Sequence, residues 1–514
     1  LGTSNTRAIV FNEKGEKLAS HLESVRTLSE GELIEQNPHD LWEKTTKAVK
    51  AVTSASSIRD DIVVMSITAP GSSVVCLNEA GTPLRNVITH LDTRCKQEVG
   101  IVEDNPDYLK ISGEIIGGVT PRSTVPRLMW IKENEPDVYK NMHKFLSLTG
   151  YLIYRMTGEV ISDEHAAVRA FADPYTGKPP HSLLDSLGLD SNMYPEFIKP
   201  GTLLPPITEG VASGLGIPKD NRLVMSTYDN LCAFVGAGAV NVGDAVDNSG
   251  TIGSFKVVTD KMIVHPEHAV YSIPYPGTPD KWIVGGSTYL AGPVIEWFRK
   301  NLRANCPIDE LDSPISRSPP GAKGVVFLPY LKGGREPIND PEAMGVFFGL
   351  TLEHGVADLT MAVFEGIGYS MLDIMQVLQK MGVPINDVRV SGGLAENSTL
   401  TGIKSSMYGR RVLEVHEKES TSLGAAMFAA VGAGMYGNLQ EAAENMIKMD
   451  NVVEPNQSEH AAYMHGFGTF KRVYEQLKPL WSVSAVDREL RTDTLDHLEE
   501  KARQGKQGGK KLTQ

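Results

Sequence analysis

Apolar residues recur along this chain with two periods, close to two in some stretches and three to four in others, and the difference separates expected strands from expected helices. Ala8, Ile9, Val10 and Phe11 form a short apolar run, Asn12 to Gly15 interrupts it, and a second run opens at Lys17. A strand, a turn in which Gly15 can take positive φ and a returning strand predict a hairpin. Asp40 then precedes Leu41, Thr45, Val49 and Val52, spaced for one helix face with Asp40 as its cap. Strands are expected over Asp61–Thr68 and Ser73–Leu77. From Asp358 onward, Phe364, Ile367, Met371, Ile374, Leu378 and Met381 step by three and four, and Lys380, Gly382 and Pro384 close the pattern. That spacing predicts a long helix. A strand at Val388–Val390, a helix capped by Asn397 or Ser398, a strand over Arg411–Val415 and a helix from Thr421 follow. Such alternation implies an α/β protein with a parallel or mixed sheet covered by helices.

The pattern also hints at a duplication. Leu1, Gly2, Thr3 and Ser4 lead into an apolar strand, and roughly 250 residues later Ser249, Gly250, Thr251, Ile252, Gly253 and Ser254 lead into Phe255–Val258. Two similar halves, 1–243 and 244–485, are the expected organisation; a chance likeness of common Gly-Thr pairs is the competing reading. Residues 486–514 are polar and glycine-rich toward their end, and read as a solvated, disordered tail.

Composition narrows the class. A chain of 514 residues with 41% apolar and 22% charged residues is long enough for two to four folded domains. Fifty Lys and Arg against 63 Asp and Glu leave a net charge of −13, which disfavours a nucleic-acid partner. Cys76, Cys95, Cys232 and Cys306 are too scattered for a disulfide framework or a zinc site, and point to a reducing cytoplasm. The longest weakly polar stretch, Leu423–Gly437, falls short of the ~20 residues of a membrane span, so no membrane partner is expected, and no signal segment opens the sequence.

Several residues invite chemistry. The two Gly-Thr turns could wrap a nucleotide's phosphates from opposite sides with backbone N–H groups and hydroxyls. Ser391–Asn397, between strand and helix, offers free amide donors to a diphosphate or adenosine. All three also read as ordinary turns. Asp229 follows the apolar run Leu223, Val224 and Met225, where a strand ends and a helix begins; it reads either as a helix cap or as a carboxylate receiving the proton of a substrate hydroxyl. Asp92 and Arg94, with Ser72 and Ser73, could bind sugar hydroxyls or form a surface ion pair and loop. Tyr330, Arg335 and Asp340, in the Pro- and Gly-rich run 329–341, read as loop packing. Gly236 and Gly238 lack the third glycine of a dinucleotide fingerprint.

Taken together, these residues resemble the FGGY carbohydrate kinases, a group that includes glycerol kinase, xylulokinase, gluconokinase and the autoinducer-2 kinases. The likeness is closest over Gly345–Glu365, looser over Pro126–Asn134, where Arg127 replaces the usual Lys, and extends to Phe327–Arg335 and Ser391–Asn397. It implies two actin-like, ribonuclease H-like domains closing over ATP, Mg²⁺ and a small sugar, sugar acid or polyol, and a homodimer is compatible with it. On matching positions it makes Asp229 the catalytic base and a magnesium ligand, and Gly2, Thr3, Ser4, Asn5, Arg7, Gly250 and Thr251 the phosphate loops. Gly392, Gly393 and Asn397 become nucleotide contacts, and Ser72, Ser73, Asp92, Arg94 and Asn230 the substrate side.

The sequence departs from the family in several places. An Asp is expected immediately before the residue equivalent to Leu1; either the sequence given starts after it or activity is impaired, and the latter, with the unusual segment Ala69–Ser73, raises a second reading, a sugar- or nucleotide-responsive protein without turnover. An actin- or chaperone-type structural ATPase is a third reading. Ala69–Ser73 stands where glycerol kinase carries Arg-Glu and xylulokinase Met-His, and Gly150 where many members carry Asp. Those departures leave the particular sugar open, and small Gly71 and Ser72 are expected to give room to a larger or differently branched one.

Overall fold

The computed structural model describes residues 1–54, 59–111, 118–173, 175–218, 220–267, 269–311 and 315–481; the expected tail at 486–514 lies outside them. Strands β1 (Asn5–Phe11) and β2 (Lys17–Ser24) form the expected antiparallel hairpin, closed by Gly15 N–H on Asn12 O at 3.0 Å with Gly15 at φ 71°. Helix α1 (Pro38–Ser54) starts earlier than its apolar spacing suggested. Its cap is Asn37, whose Oδ1 accepts the N–H groups of His39 and Asp40 at 2.8 and 3.2 Å, and Asp40 lies in the first turn behind Pro38. Pro38 already has the φ of a first helical residue, so the start shifts to the residue before it. After β3 (Val64–Ile67), shorter than expected, come α2 (Thr124–Asn134), α3 (Glu209–Leu215), β4 (Arg222–Met225) and α4 (Asp229–Gly236); β4 runs parallel to β3.

The second half contains one seven-stranded sheet. Its elements are β5 (Ala245–Ser249), β6 (Gly253–Thr259), β7 (Tyr271–Pro274), β8 (Trp282–Ser287), α5 (Gly292–Leu302), α6 (Val356–Lys380), β9 (Val388–Ser391), α7 (Ser398–Tyr408), β10 (Val412–Val415), α8 (Ser420–Gly432) and β11 (Met449–Val453). The strand order is β7-β8-β6-β5-β9-β10-β11, with β5, β9 and β10 parallel. With α2 and other elements inserted between β3 and α3, the order α1, β3, α3, β4, α4 of the first half is similar to α6, β9, α7, β10, α8 of the second. A cavity of about 520 Å³ lies between β1 and β3, lined by Ile9, Phe11, Met65, Ile67 and, from α8, Ala425 and Ala429 among others.

The trailing helices α4 and α8 cross between the two halves at backbone contact. A methyl group on Gly424 would lie 1.9 Å from Cys232 O, and one on Gly236 would lie 1.9 Å from Ser420 O. Leu231, Phe234 and Val235 of α4 share an apolar cluster with Val246, Val258, Ile273 and Ile283 of the second sheet. Helix α8 packs against β3 and β4 of the first.

Helix α6 is as expected from Asp358 onward, with Asp358 Oδ2 accepting Gly355 N–H at 3.0 Å at its start and Gly382 at φ 77° after its end. It corrects one expectation. At 25 residues it is longer than Leu423–Gly437 and, despite its charged residues, long and apolar enough to cross a bilayer; here its side chains, Phe364, Ile367, Met371 and Ile374 included, form the centre of the second core.

Candidate active site

Strands β3 and β4 run parallel, so the loops leaving their carboxyl ends meet. Asp229 is the first residue of α4, and the helix is not capped by its side chain. Its own N–H donates to Ala69 O at 3.0 Å, and its Oδ1 accepts Asn230 N–H at 2.8 Å. The carboxyl is half-buried, and burial raises its pKa against the opposing pull of the Asn230 and Gly71 N–H groups and the Lys256 ammonium. Asn230 Oδ1 in turn accepts from Lys256 Nζ, a buried cation 5.9 Å from the centre of the Tyr271 ring. Beneath this corner, Thr227 Oγ1 lies 3.0 Å from both Asp163 Oδ2 and His165 Nδ1, and His165 Nε2 donates to Pro274 O of the second half at 2.9 Å.

The glycine turns stand around the same opening. Leu1 N donates to Thr68 O at 2.8 Å, so Gly2, Thr3 and Ser4 start beside the end of β3. Thr3 O is fixed by Gln36 Nε2 at 2.8 Å and Thr27 Oγ1 at 3.1 Å, while Ser4 and Asn5 are exposed. Gly250 and Thr251 form the tip of the β5–β6 hairpin; their carbonyls accept the N–H groups of Gly292 and Ala291 at 2.8 and 3.0 Å, which ties the turn to the start of α5. Asp247 beneath it is buried and neutralised by Lys404 at 2.6 Å, and Lys404 also donates to Ser249 Oγ at 2.8 Å. Gly392, at the end of β9 next to β5, has φ 84°, and a Cβ there would meet the Ser249 carbonyl at 2.8 Å; only glycine lets these two turns touch. Gly393 opens the following turn, and Asn397 Oδ1 accepts Leu400 N–H at 2.7 Å as the cap of α7.

Four expectations change. Asp92 is fully buried and bonded to Arg94 at 2.6 and 2.9 Å and to Ile34 N–H at 2.7 Å. Arg94 also binds Glu35 at 2.7 Å and stacks on Trp130. This pair is internal architecture, since its donors and acceptors are taken and water does not reach it. Ser73 is likewise buried, with its hydroxyl on Pro70 O at 3.4 Å. Arg7 pairs with Glu419 of the second half, which occupies the guanidinium expected at a phosphate. The room expected at Gly71 is filled: a Cβ there would lie 2.8 Å from the Tyr228 ring. Gly150 is closed off too, by Ile161 O at 2.4 Å from the same kind of added atom.

Other residues escaped sequence reasoning. Arg127, fully buried on α2, donates from Nε to Pro121 O at 3.0 Å, from Nη1 to Ser72 O, and from Nη2 to Thr89 O at 2.8 Å and Asp92 O at 3.4 Å. One guanidinium therefore holds together three loops, those of Ser72, His90 and Arg122. Arg122, Arg169, Tyr228, Tyr271, Tyr289 and Arg335 are all half-buried; Tyr228 directly precedes Asp229, and the Tyr271 ring faces Lys256. Arg335 lies 5.6 Å over the Tyr289 ring and 3.5 Å from Glu336. Tyr330 and Asp340 do pack, against Phe470 and Tyr474.

Comparison with known proteins bears on this arrangement. Residues 1–236 match the family model for the N-terminal domain of the FGGY family of carbohydrate kinases, and residues 247–433 match that for its C-terminal domain. The xylulose kinase of Escherichia coli (strain K12) is 30% identical over 491 residues, covering 93% of this chain and 98% of its own. A solved xylulose kinase from Lactobacillus acidophilus superposes with a TM-score of 0.85 at 23% identity, covering 94% of this chain and 98% of that one. A gluconate kinase from the same organism gives 0.84 at 23%, covering 93% and 96%. Those two structures share the fold.

Proposed function

The chain belongs to the FGGY family of carbohydrate kinases, which phosphorylate sugars and polyols with ATP, and from that premise we propose that Asp229 is the base that receives the acceptor's proton. The observation that carries this reading is the corner itself: one half-buried carboxylate at a strand end, braced by the Asn230 and Gly71 N–H groups and facing an opening to which both halves contribute. The acceptor hydroxyl donates its hydrogen bond to Asp229, its oxygen bonds to the γ-phosphorus as the bond to the β,γ-bridging oxygen breaks, and the proton passes to the carboxylate as ADP leaves. Burial raises the carboxyl above the ~3.9 of a free Asp, which makes it the better proton acceptor late in the transfer.

Gly2, Thr3, Ser4 and Asn5 on one side and Gly250 and Thr251 on the other are assigned to the triphosphate, Gly392 and Gly393 to the rest of the nucleotide. Among the described residues no cluster of three acidic, His or Cys groups gathers for a metal. A single carboxylate, Asp229, suits magnesium, which keeps several waters and binds through phosphates. When bound with ATP, the ion neutralises charge on the phosphates. Residues 1–243 form the acceptor-holding jaw and 244–485 the nucleotide-holding jaw, and their closure excludes water from the transfer. A polar acceptor and ATP fit a cytoplasmic enzyme. None of the comparisons supports the reading without turnover. Asp229→Asn is the test: kcat should fall about 10²- to 10⁴-fold while ATP still binds, and near-normal turnover in that variant would refute the assignment.

A further inference from the structure

A buried cation joins the Asp229 corner to the second half. Lys256 lies on β6, the strand that follows the Gly250–Thr251 turn, and residues two apart on a strand share a face. On that face Val258 packs into the apolar cluster around Leu231, Phe234 and Val235 of α4. Lys256 reaches the start of the same helix, where its Nζ donates to Asn230 Oδ1, and its ammonium lies 5.9 Å from the centre of the Tyr271 ring. The residue opposite it on β8 leaves it room: a Cβ on Gly285 would lie 2.7 Å from Lys256 Cα and 2.9 Å from its Cγ.

The acids of this corner are engaged elsewhere. Asp163 Oδ2 accepts from Thr227 Oγ1 and His165 N–H at 3.0 and 3.2 Å, and Glu164 Oε1 accepts Gly277 N–H at 2.9 Å. Arg169 is bonded to the Tyr228 hydroxyl. Among the described residues no carboxylate forms an ion pair with Lys256, and its charge acts on Asp229 from beyond Asn230. Burying an ammonium without a paired carboxylate is costly, and an apolar side chain at this place would simply extend the packing of Val258. What the cation supplies is a link of fixed length between the halves. Asn230 N–H in turn donates to Asp229 Oδ1 at 2.8 Å, so whatever holds Asn230 also aims the carboxylate. We propose that Lys256 is a positioning residue for the transfer: from the strand that carries one phosphate turn it holds Asn230, and through Asn230 it sets where Asp229 stands relative to that turn. This rests on the kinase reading above and adds a residue to it.

The test is steady-state ADP release by the full chain, with the fastest acceptor from a panel of ketoses, polyols and aldonates. Lys256→Met should lower kcat about 10- to 100-fold, the cost of reacting groups held slightly out of place, with the KM values for ATP and acceptor changed by less than about threefold. Lys256→Arg keeps a charged donor over the Tyr271 ring and should recover part of the loss. Asn230→Ala should show the same split between kcat and KM. Because both changes break one link, the double variant should lose no more than the worse single one. Wild-type kcat in Lys256→Met, additive losses in the double variant, or an effect confined to the KM for ATP would overturn the proposal and leave the kinase reading intact. Asn230→Ala leaves β6 unaltered and decides the matter if Lys256→Met does not fold: an unchanged kcat, or a rise in the acceptor KM alone, refutes the link. Absence of ADP release by the unaltered chain with every acceptor would instead count against the kinase reading, and this proposal with it.

Discussion

Replacing Arg127 by Lys keeps the charge and removes the geometry. In the wild-type protein the guanidinium is fully buried and its donors reach four backbone carbonyls, of Pro121, Ser72, Thr89 and Asp92. Burial lowers its pKa to about 10 with Asp92 nearby as a partial counterweight. A lysine has three donors on a single nitrogen and cannot point them along three divergent directions, so at least two carbonyls lose their partner. At ~1.5–3 kcal/mol for each charge-assisted bond, the loss is about 3–6 kcal/mol, a large share of the ~5–15 kcal/mol that holds a typical protein folded. Relaxation and entering water should bring it to the lower end. Because the three loops are those of Ser72, His90 and Arg122, the damage belongs to the acceptor side. Urea unfolding followed by tryptophan fluorescence should show an earlier transition, and steady-state kinetics should show the acceptor KM raised about tenfold or more with the ATP KM unchanged. An Arg127→Lys protein with the wild-type transition and the wild-type acceptor KM would refute the argument that this fork positions the loops.

Three further perturbations follow from the same physics. Gly424→Ala puts a methyl group 1.9 Å from Cys232 O and should cost ~1–3 kcal/mol through forced separation of α4 and α8, visible as a lower Tm and reduced kcat. Lys404→Met removes the cation that neutralises buried Asp247, a change of ~3–5 kcal/mol; a scanning melt should show the loss, and the ATP KM should rise because Ser249 Oγ, next to the Gly250 turn, loses its Lys404 donor. Glu365 is buried with its carboxyl on Gly321 N–H, and burial pushes its pKa up to about 8. The folded state therefore binds a proton that the unfolded state releases near 4.5, so the contribution of Glu365 to stability is greatest below 4.5 and declines as the pH rises toward 8; Glu365→Gln should flatten that part of the decline in Tm measured across the same range.

What could be read from the sequence was local. The spacing from Phe364 to Met381 and the cap at Asn397 depend on residues within a few turns of each other, and both were legible. The place of Asp229 was legible because a carboxylate between an apolar strand and a small-residue helix is a local pattern. Asp92 and Arg94 misled because their spacing does not reveal that Glu35 and Trp130, far away in sequence, close over them. Asp40 misled because Asn37 competes for the same amides. No local signal marks the role of Arg127, whose four carbonyl partners come from loops far apart in sequence. Gly71 read as open space, since nothing in its vicinity along the chain announces the ring of Tyr228.

The crossing of α4 and α8 has a consequence for how the molecule can be divided. Each half contributes a helix to the other's sheet, so a cut in the connector after Gly236 would not release two self-sufficient fragments. Either piece made alone would carry an uncovered greasy flank and precipitate, whereas the pair produced together in one cell should knit into a working complex, with activity itself as the reporter of reunion.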